Sequence, residues 1–379
     1  MTSTRHPRKK WRWWIVLGCI LVVLIAGRIA LPSILLKMVN RELARIHGYK
    51  GHVDGLDVSL FRGAYTLKNI YLDKTSGKVP VHFFSAQTMD LSVEWKALLH
   101  RRLVGKIVVN NPILNFVSGP TKATSQTGID SSWTIVIGKL MPLKINRFEI
   151  IGGEIHYRDF TTKPKVDLYA SQVHIIAANL SNVNREQVEL PSTATGTATV
   201  YGGKAQLYLK INAMAPLPTF EARAEMLGLD ITNLNNFLEA YGNFDVKQGT
   251  ISIYTEAAAR DGAIKGYVKP IIKDLKVVDW KEDKAKPLKI AWEAIIGAAA
   301  WVFKNHRKDQ LATKADFEGN IRDPKVNVWD IIGQTLRNAF IQALYPSLEN
   351  SVHLNSVPAS SGQKPTELSK QYQKSKSGS

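Results

Sequence analysis

The sequence predicts a mainly β protein carried on an N-terminal transmembrane helix, with a few short helices, most of them near the C-terminus. Three observations predict it. An unbroken apolar stretch comes after a cluster of cations at the N-terminus, alternating apolar and polar residues dominate the remainder of the chain, and helical spacing returns only in short pieces.

Residues 13–36 are almost all apolar. As a helix they would extend about 36 Å, enough to cross a hydrocarbon core of roughly 30 Å with some tilt. Arg5, Arg8, Lys9, Lys10 and Arg12 precede them with no acid among residues 1–12, which holds the N-terminus in the cytoplasm and exports the rest of the chain. Trp13 and Trp14 sit at headgroup level, and Arg28 lies near the outer interface, where its stem can snorkel. A cleaved secretory signal also fits a basic start joined to apolar residues 13–27. Against it, no small-x-small site comes next, and apolar residues resume at Ile29.

The chain has 379 residues, 45% hydrophobic and 22% charged, so the exported part can build a large core. Its only cysteine, Cys19, lies in the apolar stretch, which leaves no intramolecular disulfide and no cysteine-based metal site. Residues 1–12 supply five of the eighteen net positive charges. The remainder suits contact with anionic headgroups or acidic surfaces, and equally a soluble basic surface.

Residues 38–47 have the spacing of a short amphipathic helix ending at Gly48. The period then becomes two. Tyr65, Leu67, Asn69 and Tyr71 alternate with Thr66, Lys68 and Ile70, and Met89, Leu91, Val93 and Trp95 alternate with Asp90, Ser92 and Glu94. Further along lies an internal echo: Ile107, Val109, Asn111, Pro112, Leu114 and Phe116 recur 41 positions later as Phe148, Ile150, Gly152, Gly153, Ile155 and Tyr157. The same frame returns 96 positions further on as Phe244, Val246, Gln248, Gly249, Ile251 and Ile253. The echo predicts a repetitive sheet built by adding hairpins, each copy carrying a turn or bulge at its centre.

Strands are predicted over 165–177, 193–200, 203–213, 264–278 and 317–326. A short helix over 230–241, capped by Thr232 or Asn233, interrupts them, and further helices are predicted over 289–303 and 328–344. Those last two either cap the end of the sheet or, for the second, lie on an acceptor membrane. The domain plan is a cytoplasmic segment 1–12, a span 13–36, a juxtamembrane helix 37–50, a periplasmic β domain 51–355 and a disordered tail 356–379.

Catalytic chemistry leaves no trace. The sequence holds no P-loop, no Gly-x-Ser-x-Gly elbow and no dinucleotide fingerprint. His47 and His52 flank two glycines, and Asp54 and Asp57 flank Gly55; both sets read as turns before they read as a metal or acid/base site. The expectation is a protein that is not an enzyme and uses no cofactor, metal or nucleic acid.

The stretches VDGLDVSLFRGAYTLKNIYL, SAQTMDLSVEWKALLHRRLVGKIVVNNPILNF, LGLDITNLNNFLEAYGNFDVKQGTISI and FEGNIRDPKVNVWDIIGQTLRNAF, behind a basic single span, resemble the AsmA-like family of Gram-negative envelope proteins. That family is similar to TamB-like and chorein-type bridge proteins. The resemblance implies an elongated, curled β-sheet, a U-shaped β-groove whose apolar lining carries phospholipid between membranes. It implies inner-membrane anchoring with the bulk of the chain in the periplasm, and the outer membrane or another envelope protein as a further partner.

On that reading Met89, Leu91, Val93, Trp95, Ile107, Val109, Leu114, Phe116, Phe148, Ile150, Ile155, Tyr157, Val246, Ile251 and Ile253 line the groove. An apolar face without a second sheet must bury against something, and an acyl tail gains about 0.8 kcal/mol per CH₂ buried. Alternation alone fits a closed β-sandwich equally well. A scaffold or assembly factor for envelope proteins, using sheet edges and a basic surface, is the second functional reading. About fourteen strands at roughly 4.8 Å make a groove of about 65 Å, little more than one bilayer, so a partner, an oligomer or a local role at the inner membrane is expected.

Overall fold

The computed structural model describes residues 8–46, 48–59, 62–93, 104–121, 123–126, 144–180, 188–212, 215, 217, 219–242, 244–280, 310–312, 314–320 and 348–357. The N-terminal helix α1 (Arg8–Leu43) runs through both segments that the sequence separates at residues 36 and 37, with Pro32 inside it. Among the described residues no helix is long and apolar enough to cross a membrane; the side chains of Trp13, Trp14 and Arg28 are outside that set. The last turns of α1 are firmly docked. Val39 and Leu43 are one turn apart, so both fall on one helix face, and both are buried in a cluster with Val53, Leu56 and Leu67.

The strands are β1 (Tyr49–Ser59), β2 (Ala64–Lys74), β3 (Phe84–Val93), β4 (Val104–Asn110), β5 (Ile113–Ser118), β6 (Lys144–Asp159) and β7 (Val166–Ala178). They continue as β8 (Ser192–Val200), β9 (Gly203–Ile211), β10 (Phe220–Asp230), β11 (Phe244–Arg260), β12 (Ala263–Trp280), β13 (Gln310–Ala312) and β14 (Ala315–Asn320). All fourteen belong to one sheet. They fill only twelve places across it, because β4 and β5 both lie between β3 and β6, and β13 and β14 both pair with β12. The width is therefore about 53 Å at roughly 4.8 Å per place, shorter than the sequence suggests.

Neighbouring strands pair antiparallel with one exception: β4 and β5, which follow each other along one place, both run parallel to β6. That exception explains the 41-residue echo. Ile107 pairs with Phe148, Val109 with Ile150, Leu114 with Ile155 and Phe116 with Tyr157, so the offset in sequence is the register of parallel neighbours. Its central turn residues are bulges. Asn111 (φ 47) separates β4 from β5, and Gly152 (φ 68) kinks β6 beside it, with the Asn111 N–H donating to the Ile151 carbonyl at 2.8 Å.

Two further expectations are corrected. The even alternation predicted through 65–71 is broken at Asn69 (φ 51), a left-handed residue that reverses the pleat, so Leu67, Ile70 and Leu72 are all buried in one cluster. Asp54 and Asp57 stand in β1 and not in a turn, and they pair with His52 and Lys68. Residues 231–241 are helical as expected, as a 3-10 turn (Ile231–Leu234) leading into α2 (Asn235–Gly242), but the cap is Asp230, which accepts from the Thr232 N–H at 2.9 Å. The helices predicted over 289–303 and 328–344 lie outside the described residues, as do Trp95 and His47.

Candidate functional site

Residues directly opposed in a ladder point to the same face of the sheet. Leu91 opposes Ile107, which opposes Phe148; Ile150 opposes Ile175, which opposes Gly196; and Gly196 opposes Leu207, which opposes Ala224. Met226 then opposes Ile253, which opposes Pro270. One apolar face thus crosses the sheet from β3 to β12. The other face carries charge. There Glu149 takes Arg147, Lys106 and His174, and His156 lies between Asp167 and Glu154. Burial opposes the charge on Glu149, yet its bonds from Arg147 and His174 hold its carboxyl below the ordinary value.

Two helices cover parts of the apolar face. At the β1 end, Leu31, Leu35 and Leu36 of α1 pack against the cluster that buries Leu91, Ile107 and Val109, with Met89, Leu114, Phe116, Phe148 and Ile150 partly buried around it. Burial alone pushes the Tyr65 hydroxyl beside them up to about 12. Along one end of the strands from β6 to β12, Phe237 and Leu238 of α2 pack with Leu229, Val246, Ile251, Ile253 and Ile272, and Tyr241 reaches back to Asp159 of β6.

Among the described residues, the face between these two clusters is hollow. A cavity of about 300 Å³ lies over six consecutive strands, β6 to β11. Its floor is Ala170, Gly196, Ala198, Ala205 and Ala224, and its walls are Ile155, Val173, Ile175, Leu207, Met226 and Ile253. A floor of methyl groups and one bare glycine is what makes the space. A Cβ on Gly196 would already stand 3.3 Å from the Ile175 side chain.

Of the lining residues that the sequence predicts, Ile155 and Ile253 border this cavity. Leu91, Ile107, Val109, Val246 and Ile251 sit under the helices, Val93 opposes Gly105 at the end of β3, and Tyr157 lies beyond the cavity near α2. The floor residues escape sequence reasoning because Ala and Gly carry little hydrophobic signal. A pattern for them exists: 193–199 reads Thr-Ala-Thr-Gly-Thr-Ala-Thr, with every small residue on one face.

One acid stands on the apolar face. Asp159, at the end of β6, is 5% exposed and accepts bonds from the Thr161 N–H (2.8 Å), the Thr161 hydroxyl (2.6 Å) and the Tyr241 hydroxyl of α2 (2.6 Å). Burial opposes its charge, but those bonds outweigh burial and hold its carboxyl below the ordinary value. Burial first, and the Asp159 bond second, push the Tyr241 hydroxyl well up. Among the described residues no group of three or more His, Cys, Asp or Glu side chains is placed to hold a metal ion. Compared with known proteins, the chain matches no family model and no curated sequence.

Proposed function

We propose that this chain is a lipid-handling protein of a Gram-negative envelope, not an enzyme: a β-sheet curled into a groove that takes phospholipid tails on its apolar face. Residues 13–36 anchor it in the inner membrane, residues 1–12 stay in the cytoplasm, and the sheet stands in the periplasm. The observation that carries this reading is the cavity on β6 to β11. A flat sheet would set those two strands about 24 Å apart, whereas side chains from both border one cavity, Ile155 from β6 and Ile253 from β11. A sheet concave on that face brings them together.

The energetics suit exchange. Each CH₂ placed on the apolar floor gains about 0.8 kcal/mol over water, which matches what a tail loses on leaving the bilayer. A tail is therefore held without being trapped. The step requires no bond to be made or broken. The span of about 53 Å barely exceeds a bilayer of roughly 40 to 45 Å, so one copy works with a partner envelope protein or hands lipid on close to the inner membrane.

The test is a photo-crosslinking residue at Ala198 in the full-length protein, read by mass spectrometry of the adduct. Phospholipid attached at 198, and absent when the same residue replaces exposed Lys204, is the expected result. Adducts only with this chain's own peptides would overturn the reading and favour a filled core.

A further inference from the structure

We infer that Asp159, with the rings of Tyr157, Tyr241 and Phe237, is a headgroup site for a cationic amine, the ammonium of a zwitterionic phospholipid whose tail lies in the hollow. The inference rests on the lipid-handling function proposed for the groove and adds to it which headgroup is taken.

Asp159 is buried and enters no ion pair among the described residues. Its hydrogen bonds keep it ionised, so a full negative charge stands on the apolar face with no cation from the described residues beside it. Of the other buried charges, Lys269 meets Glu349 at 3.2 Å, and Glu256, like Asp159 held by hydrogen bonds alone, spends its carboxylate on three backbone N–H groups of residues 350–352. Thr161 supplies two bonds to Oδ1, the Thr162 N–H also bonds the carboxylate, and Tyr241 bonds Oδ2, an oxygen with a second lone pair for a further donor.

The surroundings suit an ammonium. The Tyr241 hydroxyl that bonds Asp159 is 3.5 Å from that of Tyr157, and the Phe237 ring lies 5.0 Å from that of Tyr241, so a cluster of three aromatic side chains meets the carboxylate through Tyr241. Aromatic faces attract cations, organic ammonium ions among them. Placement along the strand completes the match. Ile155, Tyr157 and Asp159 share one face of β6, through Ala170, Leu168 and Val166 opposite them, and Ile155 borders the hollow. Four residues of strand separate Ile155 from Asp159, about 13 Å, which suits an amphiphile with its tail on Ile155 and its amine at Asp159.

The experiment offers the purified full-length protein an equimolar mixture of phosphatidylethanolamine and phosphatidylglycerol in nanodiscs and measures bound lipid by native mass spectrometry. Wild type is expected to enrich the ethanolamine lipid several-fold. Asp159→Asn keeps the Thr161 bonds and should lose the enrichment with total lipid unchanged, while Asp159→Glu should retain it. A second arm needs no variant: N-acetylated phosphatidylethanolamine, which has no cation, should show no enrichment over phosphatidylglycerol. Equal binding of both lipids by wild type, or enrichment that survives acetylation, would overturn the headgroup site while leaving the groove intact. Absence of any bound lipid would overturn both.

Discussion

Glu256 is fully buried, and its carboxylate gathers the N–H groups of Asn350 (2.5 Å), Ser351 (2.9 Å) and Val352 (3.1 Å). Glu221 accepts from Leu354 at 2.6 Å, and the Tyr267 hydroxyl accepts from Glu349 at 2.9 Å. Residues 348–357 are thereby strapped across the polar face of β10 to β12. A buried N–H left without an acceptor costs about 1 to 3 kcal/mol. Glu256→Gln retains one acceptor oxygen for three donors, so a loss of about 3 kcal/mol is expected, read as a fall in the thermal midpoint. Glu349 adds a pH dependence. Lys314 and Lys269 bind it and hold its carboxyl below the ordinary 4.5. A depressed acid stabilises fully above its unfolded value, and that contribution fades as pH falls through the folded value. Protease sensitivity after residue 347 should therefore rise below about pH 4.5, and Glu349→Gln should flatten the rise.

At the scale of elements, two helices use one device. The Asn40 side chain of α1 donates to the Val53 carbonyl (3.0 Å) and accepts the Val53 N–H (2.8 Å). Asn235 of α2 does the same to Val246, both at 2.9 Å. A side-chain amide stands in for a neighbouring strand, and it fixes each helix against the apolar face. Asn40→Ala and Asn235→Ala each strip a strand residue of both partners, worth about 2 kcal/mol at roughly 1 kcal/mol per bond. The sites serve different strands, so chemical denaturation of the double variant should show additive losses.

Much of this level was legible in the sequence. Period-two runs located most of the long strands, and the 41-residue echo encoded a real register, although it read as a string of hairpins. The Asn-to-strand pins were not legible, because an amide that bonds 11 to 13 residues away leaves no periodic trace. Nor was the pleat reversal at Asn69, since only glycine advertises a positive φ reliably.

Across the whole molecule, the question is whether the apolar face is a core or a container, and added bulk separates the two. In a packed interior, extra methylenes force strain of about 1 to 3 kcal/mol. Ala198 and Ala205 oppose each other on the hollow's floor, and space lies above them. Filling a void in the absence of a guest removes a cavity cost of about 24 cal/mol per Å³. Ala198→Phe and Ala205→Phe are therefore expected to leave the thermal midpoint of delipidated protein unchanged or higher, and to cut co-purifying phospholipid several-fold. Ala86 is the contrast: it is 4% exposed in the cluster under α1, where Ala86→Phe meets packed side chains and should lower the midpoint. Equal destabilisation at 86, 198 and 205 would mean that the sheet closes on itself. Stability kept at 198 and 205 with lipid lost would mean that the small residues of β8 and β9 hold the space open for something other than the chain.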